Sequence, residues 1–275
     1  MFVIYYLTIY YYTTTLMLLF IGFTIIFLST TLGSAMVYLF KRDIPKRTNA
    51  IILGFAAGVM IAASVWSLLI PSIETAEATF GIWSWVPAAL GFLLGGLFLV
   101  LLDHLLPHFH VGTGHEEGPH MKVHKSTRLF LAVTIHNIPE GLAVGLAFGA
   151  AAVSGEPGAH YAALGLAIGM AIQNFPEGAA IALPMKLATR SKHKAFLFGM
   201  GSGAVEPLAA IVGYILASEV AIMHPWMLGF AAGAMIFVVA EDLIPESNIS
   251  EYPHAGTWGV MLGFVTMMVL DVALG

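Results

Sequence analysis

The chain has 275 residues, of which 59% are hydrophobic and only 10% charged, with a formal net charge of −5 and no cysteine. Soluble domains carry about 25% charged residues, so this balance excludes a disordered chain and argues against a water-soluble enzyme. The missing thiols exclude disulfides, cysteine-ligated zinc and iron–sulfur clusters, and eleven scattered Lys and Arg residues do not make a nucleic-acid surface.

A helix needs about 20 apolar residues to cross a bilayer. Hydropathy predicts eight such spans, near 14–40, 50–71, 84–107, 127–150, 160–185, 194–217, 225–246 and 256–274. They leave only short connections, so residues 1–275 read as one all-α polytopic membrane domain. A tyrosine-rich run, Tyr5 to Tyr12, precedes the first span and suits a lipid–water interface. Lys41, Arg42, Lys46 and Arg47 follow span one. Lys122, Lys125 and Arg128 precede span four, and Lys186, Arg190, Lys192 and Lys194 separate spans five and six. With eight spans all three clusters face one side, while Glu74, Glu77, Glu156 and Glu219 face the other. The positive-inside rule makes the basic side cytoplasmic and places both termini outside, as expected of a multi-pass protein of the cell inner (plasma) membrane.

Between spans three and four, residues 108–126 form a polar loop carrying His108, His110, His115, His120 and His124 beside Glu116 and Glu117. Glycines and Pro119 make it flexible. Clustered imidazoles and carboxylates bind Zn²⁺ weakly, which suits a cytoplasmic tether or sensor; the same composition also serves as a plain solvated loop.

Two repeats organise the spans. Gly54-Phe-Ala-Ala-Gly-Val-Met-Ile61 in span two recurs in span seven as Gly229-Phe-Ala-Ala-Gly-Ala-Met-Ile236, with one mismatch. These spans run in opposite directions, so the copies are inverted, an arrangement that places transporter sites near the midplane. His136-Asn-Ile-Pro-Glu-Gly141 in span four matches Gln173-Asn-Phe-Pro-Glu-Gly178 in span five, at a similar expected depth. Residues three or four apart share a helix face, so Glu140 lies with His136 and Asn137, and Glu177 with Gln173 and Asn174. Pro139 and Pro176 lack an N–H and are expected to loosen the helix ladder. Glu206 adds a third carboxylate in span six, followed by Pro207.

An acidic side chain at the bilayer centre costs about 2.5–3.5 kcal/mol even on a lenient scale. A shared cation offsets that cost. The mixed N/O donor set suits a divalent transition metal and not Ca²⁺, which takes oxygen ligands. A binuclear centre is sterically possible because a carboxylate bridges two ions. Asp103 and His104 at the end of span three, with Glu241, Asp242 and Glu246 at the end of span seven, are candidates for a cytoplasmic exit path. Met60 is a soft thioether in span two, open to a packing or a ligand role.

With these motifs the chain resembles the ZIP (ZRT/IRT-like) divalent metal transporters, in particular the GufA-like prokaryotic branch. The resemblance implies eight helices, with an inverted repeat (helices 1–3 and 6–8) around a central helix 4/5 pair, and a homodimer. It implies one metal position made by Met60, His136, Glu140, Gln173 and Glu177, and a second by Asn137, Glu140, Asn174, Glu177 and Glu206. One or two ions would be bound there as substrate, Zn²⁺ first, with Fe, Mn, Co or Cd as other cargoes. Some relatives carry Asp where this chain has Asn174 and His where it has Gln173, so metal preference does not transfer. The implied activity is metal movement into the cytoplasm as one bundle, helices 1, 4, 5 and 6, shifts against the other four. The alternatives are a proton- or sodium-coupled antiporter and a metal-binding membrane protein without flux. No His-Glu-x-x-His motif is present, and no enzyme activity is expected.

Overall fold

In lipid a backbone must satisfy its own polar groups, and a helix does so within one segment. The apolar runs accordingly fold as eight long helices in a computed structural model, which describes residues 2–39, 45–105, 108–109, 116–117, 125–156, 158–219, 221–248, 251–252 and 254–274. These are α1 (Phe2–Leu39), α2 (Lys46–Ala63, a π turn at Ser64–Leu69, then Ile70–Phe80) and α3 (Trp85–Leu105). They continue as α4 (Lys125–Ser154), α5 (Ala159–Thr189) and α6 (Lys192–Gly203 and Val205–Glu219, interrupted at Ala204). The last two are α7 (His224–Val238, a π turn at Val239–Leu243, then Ile244–Ser247) and α8 (Ala255–Leu274). Among the described residues, eight helices are long and apolar enough to cross a membrane. Within the loop after α3, His108–Phe109 pairs antiparallel with Glu116–Glu117.

The prolines act differently from expectation. α4 and α5 run as α-helix through Pro139 and Pro176. Irregular backbone falls instead in α2 and α7, just before Pro71 and Pro245, so α2 continues to Phe80 where the span was expected to end at Pro71. A proline ring clashes with the carbonyl four residues back, here on Ser67 and Glu241, and each lies inside a π turn that widens the helix locally. Each π turn opens ten residues after the first glycine of its repeat, at Ser64 and at Val239. One turn spans six residues and the other five, which accounts for the one-residue difference in proline spacing.

The repeat glycines are contact points. A side chain at Gly54 or Gly58 would strike the α8 backbone at Gly256 or Val260, and Gly259 and Gly263 meet α2 at Ile51 and Phe55. Gly229 and Gly233 meet α3 at Ala88 and Phe92, while Gly91 and Gly95 meet α7 at Trp226 and Phe230. Small residues four apart let membrane helices approach backbone to backbone. α2 therefore lies along α8 and α3 along α7, and Ser72 Oγ donates to the Pro225 carbonyl at 2.6 Å to tie α2 to α7. α1 lies along α5 and α4 along α6 by the same means, with Gly178 against Thr30 and Gly145 against Ala210. Two four-helix bundles result: α1, α4, α5, α6 and α2, α3, α7, α8.

Between them sits a core that includes Met60, Leu166, Met170, Met235 and Met267. The outward faces of α3 and α8 expose Leu93, Leu97, Leu101, Leu262, Val265 and Val269. Apolar exposure on that scale suits hydrocarbon rather than water. At the end of the molecule carrying the basic residues, Lys46 pairs with Glu251 at 3.0 Å, and Tyr38 Oη lies 3.1 Å from His193 Nδ1.

Candidate metal site

The two six-residue motifs place their polar side chains on facing sides of α4 and α5, and α6 closes the third side. The glycines that end the motifs set the distances. Gly141 abuts the backbone of Glu206, Gly178 abuts the carbonyl of Thr30, and Gly203 accommodates the Thr30 side chain. The carboxylate of Glu206 is thereby delivered between α4, α5 and α1. It is fully buried and collects three donors. Thr30 Oγ1 donates to Oε1 at 2.8 Å, Asn137 Nδ2 donates to the same oxygen at 3.3 Å, and Asn174 Nδ2 donates to Oε2.

Glu140 Oε2 accepts from Gln173 Nε2 at 2.6 Å, and that same Nε2 lies 2.5 Å from Asn174 Oδ1. Asn137 Nδ2 also donates to the Ser202 carbonyl at 3.2 Å. Glu140, Glu177 and Glu206 are within electrostatic range of one another. Two oxygens, Glu177 Oε1 and Asn137 Oδ1, are buried with no hydrogen-bond partner among the described residues. Leaving such an atom unpaired costs about 1–3 kcal/mol, and more when it is charged. Among the described residues no Lys or Arg pairs with these three acidic groups. Among the described residues no three His, Asp or Glu side chains gather closely enough to hold an ion by themselves. The amides interleave the carboxylates instead.

A family model described as ZIP Zinc transporter matches residues 126–271, a stretch that contains both motifs and Glu206. This chain belongs to the ZIP family. It is 37% identical over 318 residues to zinc transporter ZIP11 of Xenopus tropicalis, covering 90% of this chain and 94% of the relative. It is 38% identical over 251 residues to zinc transporter ZIPB of Bordetella bronchiseptica, covering 90% and 79%. With zinc transporter GufA of Myxococcus xanthus the identity is 36% over 249 residues, covering 90% and 95%.

In this ZIP chain Met60 is buried in the core between the bundles. His136 Nε2 lies 3.3 Å from Asp242 Oδ2. Asp242, expected on a path toward the cytoplasm, therefore stands beside the central motif. Glu241 and His104 are exposed, Glu246 is half-buried, and His104 Nδ1 lies 2.7 Å from its own helix carbonyl on Val100. The side chains of Asp103 and His108, and all of His110, His115, His120 and His124, lie outside the described residues.

Sequence reasoning missed Thr30. Its signal is the run Ser29-Thr30-Thr31, hydroxyls in an otherwise apolar span. It also passed over Asp271, which accepts from Ser67 Oγ at 2.6 Å. That pair lines a cavity of about 500 Å³ between the bundles, bounded by Trp66, Ala163, Leu166 and Leu228. The cavity lies toward the end of the molecule away from the basic residues.

Proposed function

We propose that this protein carries divalent transition-metal ions, Zn²⁺ first among them, across the inner (plasma) membrane into the cytoplasm. The observation that carries the reading is the cluster of buried Glu140 and Glu206 with half-buried Glu177, interleaved with Asn137, Gln173 and Asn174, to which no Lys or Arg pairs among the described residues. A mobile divalent cation supplies the missing charge. The names of the relatives, all zinc transporters, support zinc as the cargo.

Two adjoining ion positions fit the donor set. Met60, His136, Glu140, Gln173 and Glu177 would hold one ion, and Asn137, Glu140, Asn174, Glu177 and Glu206 the other, with Glu140 and Glu177 bridging. An amide binds a metal through oxygen and donates through nitrogen. Gln173 and Asn174 now turn nitrogen toward Glu140 and Glu206, so an arriving ion must rotate both amides. The free oxygens on Glu177 and Asn137 are ready acceptors of positive charge.

Access would alternate as the α1/α4/α5/α6 bundle moves against α2/α3/α7/α8. Within a bundle most of the close glycine contacts meet backbone atoms of the neighbouring helix. Across the divide, Gly169 and Gly165 meet the flexible side chains of Met267 and Leu274. The matched packing pairs, α2–α8 with α3–α7 and α1–α5 with α4–α6, support the reading of an inverted duplication of helices 1–3 and 6–8. Basic ends set the cytoplasmic side and both termini outside, residues 1–275 act as one transporter domain, and the 108–126 loop serves as a cytoplasmic metal tether. The working form is a homodimer, in keeping with the family resemblance.

Purified protein in liposomes containing a zinc-sensitive dye tests the reading. Wild type gives Zn²⁺-dependent signal, and His136→Ala with Glu177→Ala removes at least nine-tenths of it, on the order expected when ligands act as a unit. Undiminished uptake by the double variant would refute the site. Flux of Na⁺ or H⁺ without Zn²⁺ would point to the antiporter instead.

A further inference from the structure

The contact between His136 and Asp242 has no part in the proposed ion positions, yet it joins the two bundles. His136 is on α4, in the middle of the motif. Asp242 is on α7, inside the π turn Val239–Leu243. Their side chains are 17% and 13% exposed, and the His136 Nε2 to Asp242 Oδ2 distance is 3.3 Å. A residue added to a helical turn rotates the rest of the helix by about 100° around its axis, so a π turn re-aims the side chains at its site, and such turns are frequent at functional positions. Within the core, by contrast, the hydrogen bonds to Glu140 and Glu206 join helices of a single bundle, as do Ser67–Asp271 and Ser72–Pro225.

The position of the pair along the bundle matters too. The cavity of about 500 Å³ parts the bundles at the end away from the basic residues, where Ala163 and Leu166 of α5 face Leu228 of α7 and Asp271 of α8. His136 and Asp242 lie on the other side of that cavity, toward the basic end, and hold α4 against α7.

We propose that Asp242 competes with the transported ion for His136 and so latches the two bundles together on the basic side until an ion arrives. The proposal rests on the reading of His136 as a metal ligand. One imidazole nitrogen cannot donate to a carboxylate and bind a metal at the same time. An ion that takes Nε2 must first break the contact with Asp242. Loading the site thus releases the contact that holds the two bundles together at this point, and bundle movement becomes conditional on cargo. Asp242 is a positioning residue in this account, acting through His136.

The sign of one measurement separates this from other roles. Zn²⁺ alone is titrated into purified full-length protein in nanodiscs, by calorimetry or against a competing chelator. Asp242→Asn keeps the shape and replaces a charged acceptor by a weaker, neutral one, so Zn²⁺ should bind about three- to tenfold more tightly, the scale of the difference between a hydrogen bond to a charged group and one to a neutral group. Asp242→Glu keeps the carboxylate and should restore an affinity near wild type. Affinity weakened by Asp242→Asn would mean that Asp242 is itself a ligand, and unchanged affinity that it only packs; either overturns the proposal. Should Asp242→Asn not yield folded protein, Asp242→Ser reads the same sign. His136→Ala separates the two levels of argument. If it weakens Zn²⁺ binding while Asp242→Asn fails to tighten it, the latch falls and the site stands. If it leaves binding unchanged, His136 is no ligand, and both the latch and its place in the site fall.

Discussion

Glu206 illustrates how little of a buried charge is decided by its own position. Its neighbours along the chain are Val205 and Pro207, neither of which offers a side-chain donor. All three of its donors come from other helices: Thr30, Asn137 and Asn174. Hydrogen bonds between membrane helices average about 0.6 kcal/mol, while those to charged groups reach about 1.5–3 kcal/mol. Thr30→Val keeps the shape and removes one donor. It should destabilise the protein by about 1 kcal/mol in thermal unfolding and reduce Zn²⁺ uptake by less than tenfold, because Thr30 is not among the proposed ligands. At this scale the motifs were legible: a His, three Glu and three amides at helical spacing announce polar chemistry in an apolar chain. The pairing of His136 with Asp242 was not. The two are over a hundred residues apart, and the π turn that presents Asp242 has no distinct sequence mark beyond Pro245.

At the scale of helices, small residues decide which backbones touch. Gly141 allows α6 to bring Glu206 against α4, and the methyl group of an alanine there would meet the Glu206 backbone. Overpacking typically costs about 1–3 kcal/mol. Gly141→Ala should cost at least that much and lower uptake by tenfold or more, since the carboxylate moves with its backbone. Gly96→Ala is the control. A methyl group there meets only a Phe237 side-chain carbon at 3.7 Å, an ordinary contact, and both stability and uptake should stay close to wild type. The span count was legible because about 20 apolar residues leave little choice in a bilayer. The extension of α2 to Phe80 was not, since proline alone reads as a helix end, whereas a π turn before it carries the helix onward.

For the whole molecule the proposed alternating access requires motion between bundles. The absence of native cysteine makes this directly testable. Gly169 of α5 faces the Met267 side chain of α8, across the divide, while Gly149 of α4 faces the Ala217 methyl of α6, within one bundle. A Gly169→Cys, Met267→Cys pair should stop Zn²⁺ uptake on oxidation and recover it on reduction. A Gly149→Cys, Ala217→Cys pair should bridge without that loss. Equal inhibition by both bridges would contradict rigid-bundle movement.

Hydropathy and charge by themselves determined the eight helices, the quoted motifs carried the resemblance to the family, and helical spacing picked out the small set of polar side chains proposed as the site. These are properties of short segments: a span is defined by its length in hydrocarbon, and a helix face by its period. The tertiary structure alone decided which helices share a backbone contact, that Thr30 serves Glu206, that His136 meets Asp242, and that the bundles part around Asp271. Those outcomes depend on rotations and approaches summed over several helices, where glycines far apart in the chain must coincide, and no local pattern encodes that coincidence.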